Sequence, residues 1–533
     1  MKNKRESGIL CHITSLYTKY GIGDLGQAAF NFIDFLKKSG QRLWQILPLG
    51  PTSYGDSPYA SFSTFAGNPL LICPDKLVDW GLLTDIDVHL DYIFPDNIVD
   101  YKMVSEFKYH MLRLAYANFV SGADKNLTAK YEDFVESNAH WLLDYSLFIS
   151  LKNYFLNKRK DEVETQEYNN FVKANKNTLS ASQIKNYYYG AVWQSWPMDI
   201  SSRKPEAILK WRKQLKDEIG YSNFLQFIFF KQFEELKTYA TKAEIKIVGD
   251  IPIFVAYDSA DCWAHKDLFM LDAQGIQSSV AGVPPDYFSE DGQLWGNPLF
   301  EWANHKKTGY IWWLSRISKA LETCDILRID HFRGFESFWA VPNGAKNAKK
   351  GKWLPGPRKD FFDAINKHFG NLPIIAEDLG IITPAVEELR DSLNLPGMKV
   401  LQFAFDASTN NNHLPHNYIN SNMVVYTGTH DNDTSLGWYA QASDDIKDHF
   451  RRYLNVNGDN AAWDMIRLAF LSIANTAIIP IQDIFNMDSY YRMNTPGTMG
   501  GNWQFRLRQE HLQSYCQVAK QLQYLSKLSD RNA

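Results

Sequence analysis

Eight short apolar runs, rich in β-branched residues, recur along this 533-residue chain, and most of them end on polar or charged side chains. They cover residues 8–12, 42–47, 245–250, 325–330, 372–377, 399–404, 423–427 and 477–481. Amphipathic patterns with helical spacing precede several of them, as at 28–38 and 227–241. Strand alternating with helix argues for parallel βαβ units and an α/β fold. Eight such strands predict a (β/α)8 TIM barrel. The polar residues gather at the C-terminal ends of the runs, where such barrels carry their chemistry. Periodicity alone leaves an open doubly wound sheet available as well.

The runs are unevenly spaced. A helical, aromatic-rich stretch at about 70–221 separates the second from the third, far longer than an ordinary connection. A shorter stretch at about 254–315, rich in Gly, Pro and Asp, separates the third from the fourth. Insertions at the C-terminal face of a barrel build substrate clefts. The expectation is therefore one catalytic barrel over 1–533 with a helical insertion and a lid or cleft insertion.

Composition excludes more than it assigns. A formal charge of -4 gives no reason to expect a nucleic acid or an anionic membrane as partner. No apolar run is long enough for a membrane span, and Glu6 interrupts the basic start without a signal-type apolar stretch after it, so a cytoplasmic protein is expected. Cys11, Cys73, Cys262, Cys324 and Cys516 are scattered and form no CxxC pair, so neither a disulfide framework nor a thiolate metal site is indicated. Aromatic residues reach 14%, enough to fill a core and still pave a cleft.

Gly21-Ile22-Gly23-Asp24-Leu25-Gly26 satisfies the dinucleotide-binding pattern G-x-G-x-x-G, but that motif requires a strand directly before it and an acid ending the next strand. Ser15 to Tyr20 is polar, and the next run ends Gln45-Ile46-Leu47-Pro48. A glycine turn entering a helix, with Asp24 placed to cap it, fits better. Four other runs end on acids: Gly249-Asp250-Ile251, Arg328-Ile329-Asp330-His331, Ala376-Glu377-Asp378, and Thr429-His430-Asp431-Asn432-Asp433. Strand side chains alternate, so Arg328 and Asp330 should point the same way. A neighbouring cation stabilises a carboxylate, as a nucleophile requires, whereas a glutamate crowded by carboxylates has its pKa raised, which suits a general acid. Asp378 and Asp433, one step further into their turns, read as helix caps.

These residues resemble the catalytic regions of the α-amylase superfamily, and specifically the amylomaltases of glycoside hydrolase family 77. The likeness runs nearly end to end. It includes GDSPYASFSTFAGNP at 55–69, GVPPDYFSEDGQLWGNP at 282–298, and Arg492-Met493-Asn494-Thr495-Pro496-Gly497. By resemblance, Asp330 is the nucleophile, Glu377 the general acid/base and Asp431 the third carboxylate, holding sugar hydroxyls. Arg328, His430 and Asp250 match positions around the glucose at the cleaved bond. Ser57, Tyr59, Asp286, Gln293, Trp295 and Asn494 fall on segments that contact flanking sugars. The implied activity is 4-α-glucanotransfer by retaining double displacement, on α-1,4-glucans and maltooligosaccharides with glucose as an acceptor. It needs no cofactor and no metal. A hydrolase with the same acids and a silent glucan-binding protein are the alternatives. Two departures, Tyr17-Thr18-Lys19 in place of a proline-bearing loop and Phe505 in place of tryptophan, bear on acceptor preference rather than on the acids.

Overall fold

All eight runs contain or overlap a strand of one parallel sheet. In the computed structural model, which describes residues 5–122, 124–285, 289–498 and 500–531, the strands are β1 (Glu6–Leu10), β2 (Leu43–Gln45), β3 (Lys246–Ile251), β4 (Ile326–Ile329), β5 (Ile374–Ala376), β6 (Gly397–Val400), β7 (Met423–Tyr426) and β8 (Thr476–Pro480). Each pairs with its neighbour in sequence, and β8 returns to β1 with Gly8 opposite Ile478. The remaining gap, between β5 and β6, is bridged where Ala376 N–H donates to the Pro396 carbonyl at 2.9 Å. This is a (β/α)8 barrel, and the open-sheet alternative falls away.

Local sequence explains the joints. A Cβ at position 8 would sit 2.4 Å from Leu43 Cβ and from its carbonyl oxygen, so only glycine lets β1 and β2 approach this closely. The helix Gln27–Lys38 buries Ala29, Phe32, Ile33 and Leu36, spaced for one helical face, and the Phe32 ring lies 5.0 Å from Trp44 on β2. The larger of these, Phe32, Ile33 and Leu36, each contribute about 1.5–3 kcal/mol on burial. The sixth run begins and ends earlier than its apolar pattern indicates. His413 Nδ1 accepts the Val400 N–H at 3.0 Å, and the chain turns into a 3-10 helix at Leu401–Phe403.

The glycine motif is a turn, as expected, with Gly21 at φ +79° and no strand before it. Asp24 does not cap the following helix, whose N-cap is Gly26. Its carboxylate instead accepts from Gly26 N–H at 3.0 Å and pairs with the buried Lys108 at 3.3 Å. The long stretch between β2 and β3 is helical, and its closing helix, Lys216–Lys242, runs unbroken through position 221. After β3 the chain contributes Ser279–Val283 and Gln293–Pro298 to a second, antiparallel sheet completed by Ser337–Pro342 and Lys352–Pro355 from beyond β4. No helix among the described residues is long and apolar enough to cross a membrane.

Candidate active site

Strand register brings the acids together. Asp250 on β3 stands opposite Arg328 on β4, and Ile329 stands opposite Ala376, so Asp330 and Glu377 each occupy the next position beyond a matched pair. Backbone bonds fix these ends: Asp330 N–H donates to Ile251 O at 2.9 Å and Glu377 N–H to Ile329 O at 3.0 Å. Arg328 is buried and reaches both neighbours, with Nη1 2.6 Å from Asp250 Oδ2 and Nη2 2.9 Å from Asp330 Oδ1. Burial works against its charge, but Asp250 and Asp330 together hold the guanidinium well above its ordinary pKa.

Glu377 is nine-tenths buried. His331 N–H donates to Oε2 at 2.6 Å and Leu379 N–H to Oε1 at 2.9 Å. Desolvation, followed by the nearby Asp330 charge, pushes its pKa up to about 8, against the pull of Arg328 and the two amides. The sequence led us to expect a rise from crowding by carboxylates; burial is the larger cause. His331 sits at φ +51°, which turns the chain so that its amide faces the glutamate.

On the opposite side of the mouth, Asn494 Nδ2 donates to Asp431 Oδ1 at 2.6 Å and Arg492 Nη2 to the Asp431 carbonyl at 2.6 Å. His430 Nε2 lies 3.4 Å from the same carboxylate oxygen, leaving Asp431 held but half-exposed. Tyr59 donates its hydroxyl to Asp250 Oδ2 at 2.8 Å and stacks on His430 with centroids 5.1 Å apart. Ser57 Oγ accepts the Tyr59 N–H at 3.3 Å. Trp295 meets the His331 ring edge-on at 4.8 Å, and its Nε1 donates to Gln293 Oε1 at 3.1 Å. Ser57, Tyr59, Gln293, Trp295, Arg328, Asp330, Glu377, His430, Asp431 and Asn494 all line one cleft of about 1950 Å³, and Asp250 lies directly beneath it through Arg328 and Tyr59. Asp286 lies outside the described residues.

Two acids expected as caps do other work. Asp378 takes Arg390 Nη1 at 2.5 Å and Met398 N–H at 2.7 Å, tying β5 to the start of β6. Asp433 accepts from Ser489 Oγ at 2.6 Å, and the cap of the helix Ser435–Gln441 is Thr434. Carboxylates at those positions find cations or hydroxyls across the turn, whereas the shorter hydroxyl reaches the first free amides. Sequence reasoning also missed Trp503, whose ring lies 5.8 Å from Tyr59 and 5.9 Å from His430 in the same cleft. It missed Arg492 and His331 too, although both sit within quoted motifs.

The sequence profile of the 4-alpha-glucanotransferase family matches residues 11–160 and 151–512. The chain is 45% identical over 534 residues to a 4-alpha-glucanotransferase of Synechocystis sp., covering 100% of this chain and 99% of the relative. It is 43% identical to one of Thermus thermophilus, covering 95% of each. Among solved structures, an amylomaltase from Streptococcus agalactiae in complex with acarbose superposes with a TM-score of 0.89 at 36% identity, covering 99% of this chain and 100% of that one. Barrel, profile and end-to-end identity agree: the chain belongs to glycoside hydrolase family 77, the 4-alpha-glucanotransferases.

Proposed function

We propose that this enzyme exchanges α-1,4-glucosidic bonds by retaining double displacement, with Asp330 as nucleophile, Glu377 as acid and base, and Asp431 as the carboxylate that holds sugar hydroxyls. Glu377, protonated at rest, gives its proton to the glycosidic oxygen as the bond from that oxygen to the anomeric carbon breaks. The Asp330 carboxylate bonds to that carbon, forming a glycosyl-enzyme. An acceptor 4-hydroxyl then gives its proton to Glu377 and attacks the same carbon, and Asp330 leaves as carboxylate. One α-1,4 bond replaces another, so the exchange is close to thermoneutral.

The observation that carries this reading is the contrast between the two acids. Asp330 is paired with Arg328 at 2.9 Å, while Glu377 beside it is desolvated and held protonated up to about pH 8. They end adjacent strands and line the same cleft, as a nucleophile and an acid/base acting on one glycosidic bond must. Tyr59 and Asp250 brace Arg328, and Asn494 and His430 orient Asp431. The aromatic cleft fits maltooligosaccharides as donors and glucose or its oligomers as acceptors. Five unpaired cysteines, four of them buried, support a reducing compartment such as the cytoplasm.

The test is incubation with maltotriose alone. Transfer yields glucose together with maltooligosaccharides longer than the substrate. Glucose and maltose alone, with reducing ends rising steadily, would assign the chain to hydrolysis instead.

A further inference from the structure

The cleft exceeds the roughly 300–1,000 Å³ of sites for single small molecules, and the groups described above occupy only part of it. Another stretch of wall comes from the end of the helix Ala181–Tyr189, in the long connection between β2 and β3, where Lys185, Asn186, Tyr187 and Tyr189 face the cleft. This helix is built to be rigid. Ser180 and Gln183 form a reciprocal capping box at its start. At its end Arg159 Nη1 donates to Tyr188 O at 2.7 Å, and Lys152 Nζ donates to Gly190 O at 2.9 Å.

Tyr188 is buried, with the Arg159 guanidinium 4.0 Å from its ring. Tyr187 and Tyr189 beside it are half-buried, and Tyr189 is held in place where its ring packs 5.4 Å from Tyr168 and its hydroxyl accepts the Glu164 N–H at 3.3 Å. Tyr187 packs 5.6 Å from Tyr257, which lies on the segment leaving β3 and its Asp250. Tyr257 is itself fixed, donating its hydroxyl to Gly275 O at 2.7 Å and accepting Trp193 Nε1 at its carbonyl at 2.8 Å. A continuous aromatic wall therefore runs from the acid-bearing strand to this helix. A glucan presents C–H faces that pack on the electron-rich faces of aromatic rings, and hydroxyl rims that suit tyrosine hydroxyls, a lysine and an asparagine.

We infer that Tyr187 and Tyr189 form a distal subsite for an α-1,4-glucan chain, away from the exchanged bond, that gives the enzyme a preference for longer chains. This rests on the glucan reading above. Remote contacts of this kind act on binding of substrates long enough to reach them.

Michaelis parameters with maltotriose and with maltoheptaose as sole substrates, for the wild type, Tyr187→Ala, Tyr189→Ala, the double alanine variant and Tyr189→Phe, test the assignment. The double variant should raise KM for maltoheptaose at least about fivefold more than KM for maltotriose, with kcat moved far less, and Tyr189→Phe should keep most of the wild-type discrimination. If the double variant does not fold, Tyr189→Ala alone should shift the ratio of the two KM values by about threefold. An unchanged ratio, or equal losses on both sugars, overturns the subsite. A wild type that fails to transfer with either sugar overturns the glucan reading itself.

Discussion

Glu377 carries two opposed demands at one side chain. Two backbone amides stabilise its carboxylate, yet burial and Asp330 leave the proton in place up to about pH 8. Because the folded-state pKa is raised above the unfolded value of 4.5, the folded state binds the proton more tightly. The stabilisation is fully present below about pH 4.5 and is lost as pH rises through 8. Glu377→Gln should therefore flatten the fall of stability between those limits, on top of a constant cost of about 1–3 kcal/mol, since its NH2 must face one of the two amide donors. Denaturant melts at a series of pH values read the slope separately from the offset. In catalysis the alkaline limb of kcat/KM should fall near pH 8 in the wild type. With a glycosyl fluoride, whose leaving group needs no proton, Glu377→Gln should lose that limb and accumulate a glycosyl-enzyme. Mass spectrometry that finds the adduct on a residue other than Asp330 would sink the assignment.

Among the elements, those that are local in sequence were legible before the structure. The eight runs announce strands because β-branched residues and polar ends sit side by side, and the acids were readable because register places them at those ends. The second sheet was not legible. Its strands are short, lie on both sides of β4, and owe their pairing to antiparallel contacts with no local signature. Trp503 was invisible for a similar reason: it reaches the cleft from a φ of +64°, through its N–H bond to Met493 O at 2.8 Å, and no period predicts that. Trp295 belongs to this same class of element, on the strand Gln293–Pro298. It is 38% exposed and touches His331 edge-on, which favours a cleft role over a core one. Truncating a core tryptophan costs about 3–5 kcal/mol; Trp295→Ala should cost less than about 1.5. It should also weaken oligosaccharide binding and raise hydrolysis relative to transfer, because a ring beside the glycosyl-enzyme excludes water. A large fall in melting temperature with an unchanged hydrolysis-to-transfer ratio would return Trp295 to the scaffold.

At the scale of the whole molecule the barrel separates its two faces. The C-terminal ends of the strands carry the acids, and the segment that follows the helix Gln509–Leu528 packs against the N-terminal ends. Arg531 is fully buried there. Its Nε donates to Phe470 O at 2.9 Å, Nη1 to Glu6 O at 3.1 Å and Asn475 O at 3.2 Å, and Nη2 to Ala474 O at 2.8 Å. Glu6 opens β1 and Asn475 immediately precedes β8, so one guanidinium stitches the first and last strands of the ring at the end remote from chemistry. A planar fork with five donors on three nitrogens reaches carbonyls spread across both strands; a lysine, with three donors on one nitrogen, reaches fewer of them. Arg531→Ala should lose about 2–4 kcal/mol through unpaired buried carbonyls, and Arg531→Lys should recover only part of it. A chain of this size tends to unfold irreversibly, so the half-life of activity at elevated temperature is the measurement to make. It should shorten markedly in Arg531→Ala, while kcat at 25 °C stays within about twofold of the wild type, since conservation of geometry at the opposite face does not depend on this contact. A variant with normal thermal half-life but depressed kcat would mean that the two ends of the barrel are coupled, and that the stitch between β1 and β8 sets the geometry of the acids rather than the stability of the ring.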